Sequence, residues 1–212
     1  MSRRIEILRR ATEVFQRKGV QQTSIADIAQ AVGVKREAIY YYFRNRREIL
    51  LEVILPQSRS LHMNMQNILR SNRPSVEKLQ AAIENHLQQY DPRYLEMTVA
   101  LREDHFFKED RRLSELRRVW KNYTRGWEAL IREGQENGEL RAGIDAKVAA
   151  FGILGMCNWL ARWFDPAKEM SIAEITRMYC TLITDGLSVE AGLGQEEKAT
   201  RPLPVLAGQG GA

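Results

Sequence analysis

The chain has 212 residues, is 44% hydrophobic and 28% charged, and carries a net charge of +5. That is the profile of a soluble globular protein with room for one large or two small domains. No apolar run approaches the roughly 18–20 residues that cross a bilayer, and Glu6 and Glu13 break up the basic start, which excludes a signal peptide and predicts a cytoplasmic protein. The two cysteines, Cys157 and Cys180, fit buried small hydrophobes in a reducing compartment better than a disulfide or redox pair. Charge is unevenly placed: residues 1–50 hold eleven Lys/Arg against five Asp/Glu, and the rest of the chain is close to neutral. A basic module beside a neutral body suits a polyanion partner, or a well-solvated helical surface.

The pattern is helical throughout, with six prolines and no alternating β-branched runs, which predicts an all-α protein. A first helix spans 3–18, with Ile5, Leu8, Ala11, Thr12 and Phe15 on its apolar side and Gly19 ending it in the left-handed conformation. Ser24-x-x-Asp27 is a capping box for the next helix, whose inner face is Ile25, Ile28, Ala29 and Val32. Gly33 turns the chain, Val34 plugs the turn, and a helix over 35–42 turns Ala38, Ile39 and Phe43 inward. From Arg46 a long helix reaches Leu55, where Pro56 kinks or breaks it before the pattern resumes through Leu69. Ser75 caps a helix over 76–89, Asp91-Pro92 opens one to about 104, and a long helix covers 109–137 up to Gly138. Helices over 145–164 and from Ser171-x-x-Glu174 to about Val189 follow, and the Gly/Pro/Gln-rich stretch from 191 to 212 reads as a disordered tail.

Two short helices joined at a glycine, the second carrying Lys35, Arg36 and three tyrosines, have the layout of a helix-turn-helix that enters the DNA major groove. Thr23 and Ser24, at a helix N-terminus, offer hydroxyls to a phosphate. Arg36 can take guanine bidentately, and Glu37 either accepts from a cytosine amine or caps its own helix, the second being preferred. Tyr40 and Tyr42 can place hydroxyls on phosphates, and Tyr41 does the same or packs. The run Ala11-Thr12-Glu13-Val14-Phe15 with Gly19, then Thr23 to Ala29, Gly33-Val34 and Ala38 to Phe43 with Arg46 and Glu48-Ile49-Leu50, resembles the TetR family of bacterial regulators. The resemblance implies phosphate contacts at Tyr40, Tyr42 and Arg46 and base contacts at Arg36, Glu37 and Ala38. Tyr42 stands where many members carry histidine, and Arg46 where lysine is usual. It further implies a three-helix DNA-binding domain over 1–47 and a helical ligand-binding and dimerisation domain over 48–190. The protein would be a homodimeric repressor, released from a palindromic operator on double-stranded DNA by a small molecule.

In the body, Trp120, Tyr123 and Trp127 on one helix and Asn158, Trp159, Arg162 and Trp163 on another could line an effector pocket or fill the core. Arg102 and His105 belong to a second polar set. The segment 157–164 resembles TetR members that sense acyl-CoA thioesters, which implies an acyl-CoA effector. Phe151, Leu154, Trp159, Ile175, Met178, Leu182 and Ile183 supply apolar faces on the last two helices, and Gly152 and Gly155 would allow close helix approach in a four-helix dimer interface. No catalytic, metal or cofactor site is expected: His62, His86 and His105 are isolated, neither cysteine has a Cys-x-x-Cys partner, and no phosphate loop or nucleophile elbow occurs. The alternative is a non-enzymatic helical module that binds acidic partners or a membrane surface through the basic N-terminal helices.

Overall fold

The structure, a computed structural model, describes residues 2–88, 111–164 and 170–189. Eight helices are present among the described residues: α1 (Arg3–Lys18), α2 (Ile25–Val32), α3 (Arg36–Tyr40), α4 (Arg46–Arg70), α5 (Ser75–Gln88), α6 (Arg111–Glu136), α7 (Ala146–Trp163) and α8 (Ile172–Leu187). The helix predicted over 91–104, with Arg102 and His105, and the tail from 191 lie outside the described residues. No helix among the described residues is long and apolar enough to cross a membrane.

Two hydrophobic cores organise the chain. The first gathers Ile7, Ala11 and Phe15 of α1, Ile25, Ile28 and Ala29 of α2, Ile39 of α3, Phe43, and Ile49 to Leu55 of α4. Its α1 face differs from the expected one: Ile5 is 53% exposed, and the buried stripe is Ile7, Ala11, Val14 and Phe15. Both stripes satisfy a 3.6-residue period, and packing against α2 and α4 selects one. Gly19 also differs, at φ 81° and ψ 153°: positive φ, but outside the left-handed helical region. Gly33 is left-handed at φ 74° and ψ 36°, which an L side chain adopts only with strain. The capping box at Ser24 forms, with Asp27 N–H donating to Ser24 Oγ at 3.2 Å and Ser24 N–H to Asp27 Oδ2 at 2.7 Å.

The second core holds Met65 of α4, Leu79, Ala82, Ile83 and Leu87 of α5, Tyr123 to Ile131 of α6, and the inner faces of α7 and α8. α4 and α6 run through both cores, since Leu116 and Val119 of α6 pack in the first and Trp127 in the second. A domain boundary at residue 47 therefore cuts through the first core, which uses α4 as far as Leu55. At 25 and 26 residues, α4 and α6 are each about 40 Å long. They approach closely where Gly126 faces Met65: a Cβ there would stand 2.7 Å from Met65 Cγ. Pro56 does not break α4, which continues to Arg70; one missing backbone donor in a helix packed along α6 does not outweigh that burial.

The start of α5 is held from a distance. Ser75 lies inside the helix instead of capping it, and its hydroxyl finds no partner. The Glu139 carboxylate accepts from Ser75 N–H at 2.5 Å and Val76 N–H at 3.4 Å. Glu139 sits in a loop that pairs with the end of α8, Arg141 N–H donating to Leu187 C=O and Val189 N–H to Glu139 C=O. Lys78, almost fully buried, reaches Glu133 at 2.7 Å and Leu69 C=O at 3.1 Å, tying α5 to α6 and the end of α4. The predicted capping box at Ser171 forms, and Asp145 caps α7, its side chain accepting from Val148 N–H.

Candidate nucleic-acid interface and sensor core

α3 is one and a half turns long. Ile39 and Phe43, four residues apart and buried to 0% and 1% exposure, fix it to the first core. That anchoring leaves Lys35, Arg36, Glu37, Tyr40 and Tyr41 on the outer side, with Tyr41 84% exposed. Ala38 and Tyr42 are half-buried at its edges. The helix ends at Tyr40, earlier than expected, so Tyr41 and Tyr42 stand in the following turn with their rings edge to face at 5.0 Å. Arg36 donates from Nη2 to the Tyr40 hydroxyl at 3.1 Å and lies over its ring at 5.7 Å. This arrangement holds the guanidinium extended beside an aromatic surface. Glu37 does not cap α3, which has no side-chain cap; it sits exposed in the first turn.

Three of the expected phosphate ligands already make hydrogen bonds within the chain, Thr23 buried and Ser24 exposed. Thr23 is buried and its hydroxyl donates to Gly19 C=O at 2.7 Å, so it presents no hydroxyl outward. Ser24 Oγ donates to Asp27 Oδ2 at 2.6 Å, and Asp27 pairs with Lys18 at 2.7 Å. Lys18 and Ser24 together hold the Asp27 carboxyl well below the usual carboxylate range. The N-terminus of α2 thus already has its own anion, which opposes a phosphate there. Arg46 donates from Nη1 to Gln21 C=O at 3.0 Å and Thr23 C=O at 2.5 Å, pinning the loop between α1 and α2. The apolar stripe of α1 is buried, which leaves no amphipathic face for a membrane surface.

The tryptophans do not form one cluster. Trp120 packs against the first core and donates to Ser58 Oγ at 3.2 Å, while Trp127 is fully buried in the second. Trp159 and Trp163 are 64% and 50% exposed, and Arg162 is exposed beside them, so none of the three joins Trp127. Asn158 does point inward, to a residue that sequence reasoning set aside. His86 Nε2 meets Asn158 Oδ1 at 3.1 Å, and His86 Nδ1 meets the Tyr123 hydroxyl at 3.0 Å. Trp127 stands edge-on to both rings, 6.4 Å from His86 and 6.3 Å from Tyr123. Its buried indole N–H is directed to the Tyr123 hydroxyl, which the Asn85 side chain also addresses, without reaching regular hydrogen-bond geometry. Burial pushes the His86 imidazole down to about 4 and the Tyr123 phenol above its ordinary range. Nearby, Asn64 donates to Asn85 Oδ1 at 2.9 Å and Asn85 to Leu61 C=O at 3.3 Å. Polar residues spaced along α5 in an apolar frame were the available signal for this group. Cys157 and Cys180 are buried free thiols.

Two family models match the chain: "Bacterial regulatory proteins, tetR family" over residues 7–53 and "Tetracyclin repressor-like, C-terminal domain" over residues 72–187. The chain is a member of the TetR family. It is a DNA-binding transcriptional regulator, as its relatives are. The transcriptional repressor KstR2 of Rhodococcus jostii is 24% identical over 187 residues, covering 88% of this chain and 91% of its own. The structure of the ketosteroid regulator KstR2 of Mycobacterium tuberculosis superposes with a TM-score of 0.79 at 21% identity, over 89% of this chain and 96% of that one. AibR, solved in complex with isovaleryl coenzyme A and operator DNA, gives a TM-score of 0.71 at 19% identity, over 85% and 97%. The two KstR2 proteins are transcriptional regulators.

In this TetR-family chain the last two helices divide their apolar residues between two sides. Leu154, Ile175 and Ile183 are buried in the protomer, while Phe151 and Trp159 of α7 and Met178 and Leu182 of α8 are 52–64% exposed. Gly152 and Gly155 have nothing of the same protomer within reach, so they do not serve close packing inside it. They lie on the outward side with Phe151 and Trp159.

Proposed function

We propose that this regulator is a ligand-responsive homodimeric repressor that sits in the cytoplasm and binds a palindromic operator. The exposed Lys35–Tyr41 face of α3, held on a rigid Ile39–Phe43 anchor, carries the reading. Arg36, Glu37 and Ala38 address base edges, and Lys35, Tyr40, Tyr41 and Tyr42 address the backbone. The outward apolar face of α7 and α8, with Phe151, Trp159, Met178 and Leu182, is the contact between protomers, and two copies of α3 then address successive major grooves.

The effector enters the second core, against Tyr123, Trp127 and Asn158. Its chemical class is an acyl-CoA thioester, a reading supported by the co-crystallised ligand of AibR and by an apolar interior with few polar groups. Because α4 and α6 thread both cores, a ligand that favours one packing of the second core shifts the spacing of the two α3 helices. Footprinting on selected genomic DNA tests this: it should give two half-sites centred about 34–36 Å apart, an affinity that falls steeply with salt, and release by an acyl-CoA series. An asymmetric single site, or release by no acyl-CoA while another class releases, would overturn the corresponding part.

A further inference from the structure

Arginines of the reading head are tethered by chemically different partners. On α1, Arg3, Arg9 and Arg10 pair with the carboxylates of Glu6 and Glu13, three or four residues along the same helix. Arg36, at the first position of α3, is held by a neutral group instead. Its Nη2 donates to the Tyr40 hydroxyl at 3.1 Å, and its guanidinium carbon stands 5.7 Å from the centre of the Tyr40 ring. A carboxylate would offset the cation and accept from a whole edge of its donor fork. The phenol leaves the charge in place. Nη2 carries two hydrogens, one on each edge by which a guanidinium makes bidentate contacts, so the single bond to Tyr40 leaves the other edge whole. The support is also stiff. Tyr40 closes α3 directly after Ile39, whose side chain is fully buried, and a tyrosine side chain has only two torsions. Its hydroxyl accepts from Arg36 and keeps its own proton, so the bond is compatible with a phosphate contact from Tyr40.

We propose that Tyr40 is a positioning residue for base readout: its hydroxyl and ring hold Arg36 extended from α3, with one two-donor edge free for the N7 and O6 acceptors of a guanine. The inference deepens the reading of α3 given above and rests on it. A free arginine loses rotamer freedom when it meets a base. Arg36 has given up part of that freedom before DNA arrives, so the gain falls on the one base pair that Arg36 reads. A phosphate contact has no such focus and strengthens binding to every sequence.

The test compares full-length wild-type, Tyr40→Phe, Arg36→Ala and doubly substituted protein at one salt concentration, on a selected operator, on operators changed at single base pairs, and on random DNA. Tyr40→Phe keeps the ring and removes only the hydroxyl, at a position 45% exposed. It should lower discrimination about five-fold at the base pair where Arg36→Ala also loses it, and at no other. In the Arg36→Ala background it should cost no further discrimination. A lost phosphate contact cancels from this ratio, because all the DNAs share it. In the free protein, 15N relaxation of the Arg36 Nε–H, assigned with Arg36→Ala, should show a more mobile side chain in Tyr40→Phe. Unchanged discrimination in Tyr40→Phe, a loss spread over several base pairs, a loss that persists without Arg36, or unchanged Nε–H mobility would each overturn the proposal. The reading of bases fails separately, if Arg36→Ala weakens operator and random DNA equally. The proposal alone fails if Arg36→Ala loses discrimination at one base pair and Tyr40→Phe does not.

Discussion

The DNA-reading half and the sensor half are built on different length scales. In the first, most of the contacts that set the site join near neighbours, Ser24 with Asp27, Thr23 with Gly19 and Arg36 with Tyr40, and Arg46 reaches back 23 and 25 positions to Thr23 and Gln21. In the second they join distant residues: His86 with Asn158 across 72 positions, Ser75 with Glu139 across 64. Short-range contacts make a rigid reading head whose shape does not depend on what the sensor holds. Long-range contacts make a sensor whose interior can repack only by moving whole helices, and two of those helices, α4 and α6, extend into the reading head.

The sharpest way to break this comparison is at Phe43, which anchors α3 and is 1% exposed. Phe43→Ala should lower stability by about 3–5 kcal/mol in chemical denaturation. Because α4 and α6 serve both cores, unfolding should stay a single transition; two separated transitions would show the halves to be independent.

A smaller effect tests the sensor alone. His86 is held neutral in the folded chain at about 4 against an ordinary 6.5. The unfolded chain therefore binds the extra proton first. The stabilisation is complete above pH 6.5 and is lost as pH falls from there towards 4, by up to about 3 kcal/mol. His86→Gln should flatten the stability profile across that window, and an unchanged profile would mean that His86 does not titrate as described. Smaller again, Glu139→Ala removes the cap on α5 and should lower stability by about 1 kcal/mol in the same denaturation assay, without altering DNA affinity; no change in stability would show that water replaces the carboxylate.

The same difference in range explains what could be read from the chain. The capping boxes at Ser24 and Ser171, the turn at Gly33 and the all-helical architecture are written in residues three or four positions apart, and they formed as expected. The stripe on α1 was misplaced because two stripes share one period and only contact with α2 and α4 separates them. Ser75 had the residue type of a cap, but the cap comes from Glu139, whose loop is positioned by pairing with the end of α8. Aromatic content leaves open whether the tryptophans line an effector pocket or fill the core. Helix phase divides them instead, with Trp127 inward, Trp159 and Trp163 outward, and Trp120 at the other core. His86 was passed over because its partners, Tyr123 and Asn158, arrive from two other helices.

The central claim is that the outer face of α3 reads bases, and it is tested most directly by comparing wild-type protein and Arg36→Ala on a selected operator and on random DNA at one salt concentration. The variant should lose about 1–3 kcal/mol of preference at one base position in each half-site while binding random DNA almost as before. An equal loss on operator and random DNA would contradict the claim and reduce Arg36 to a backbone contact.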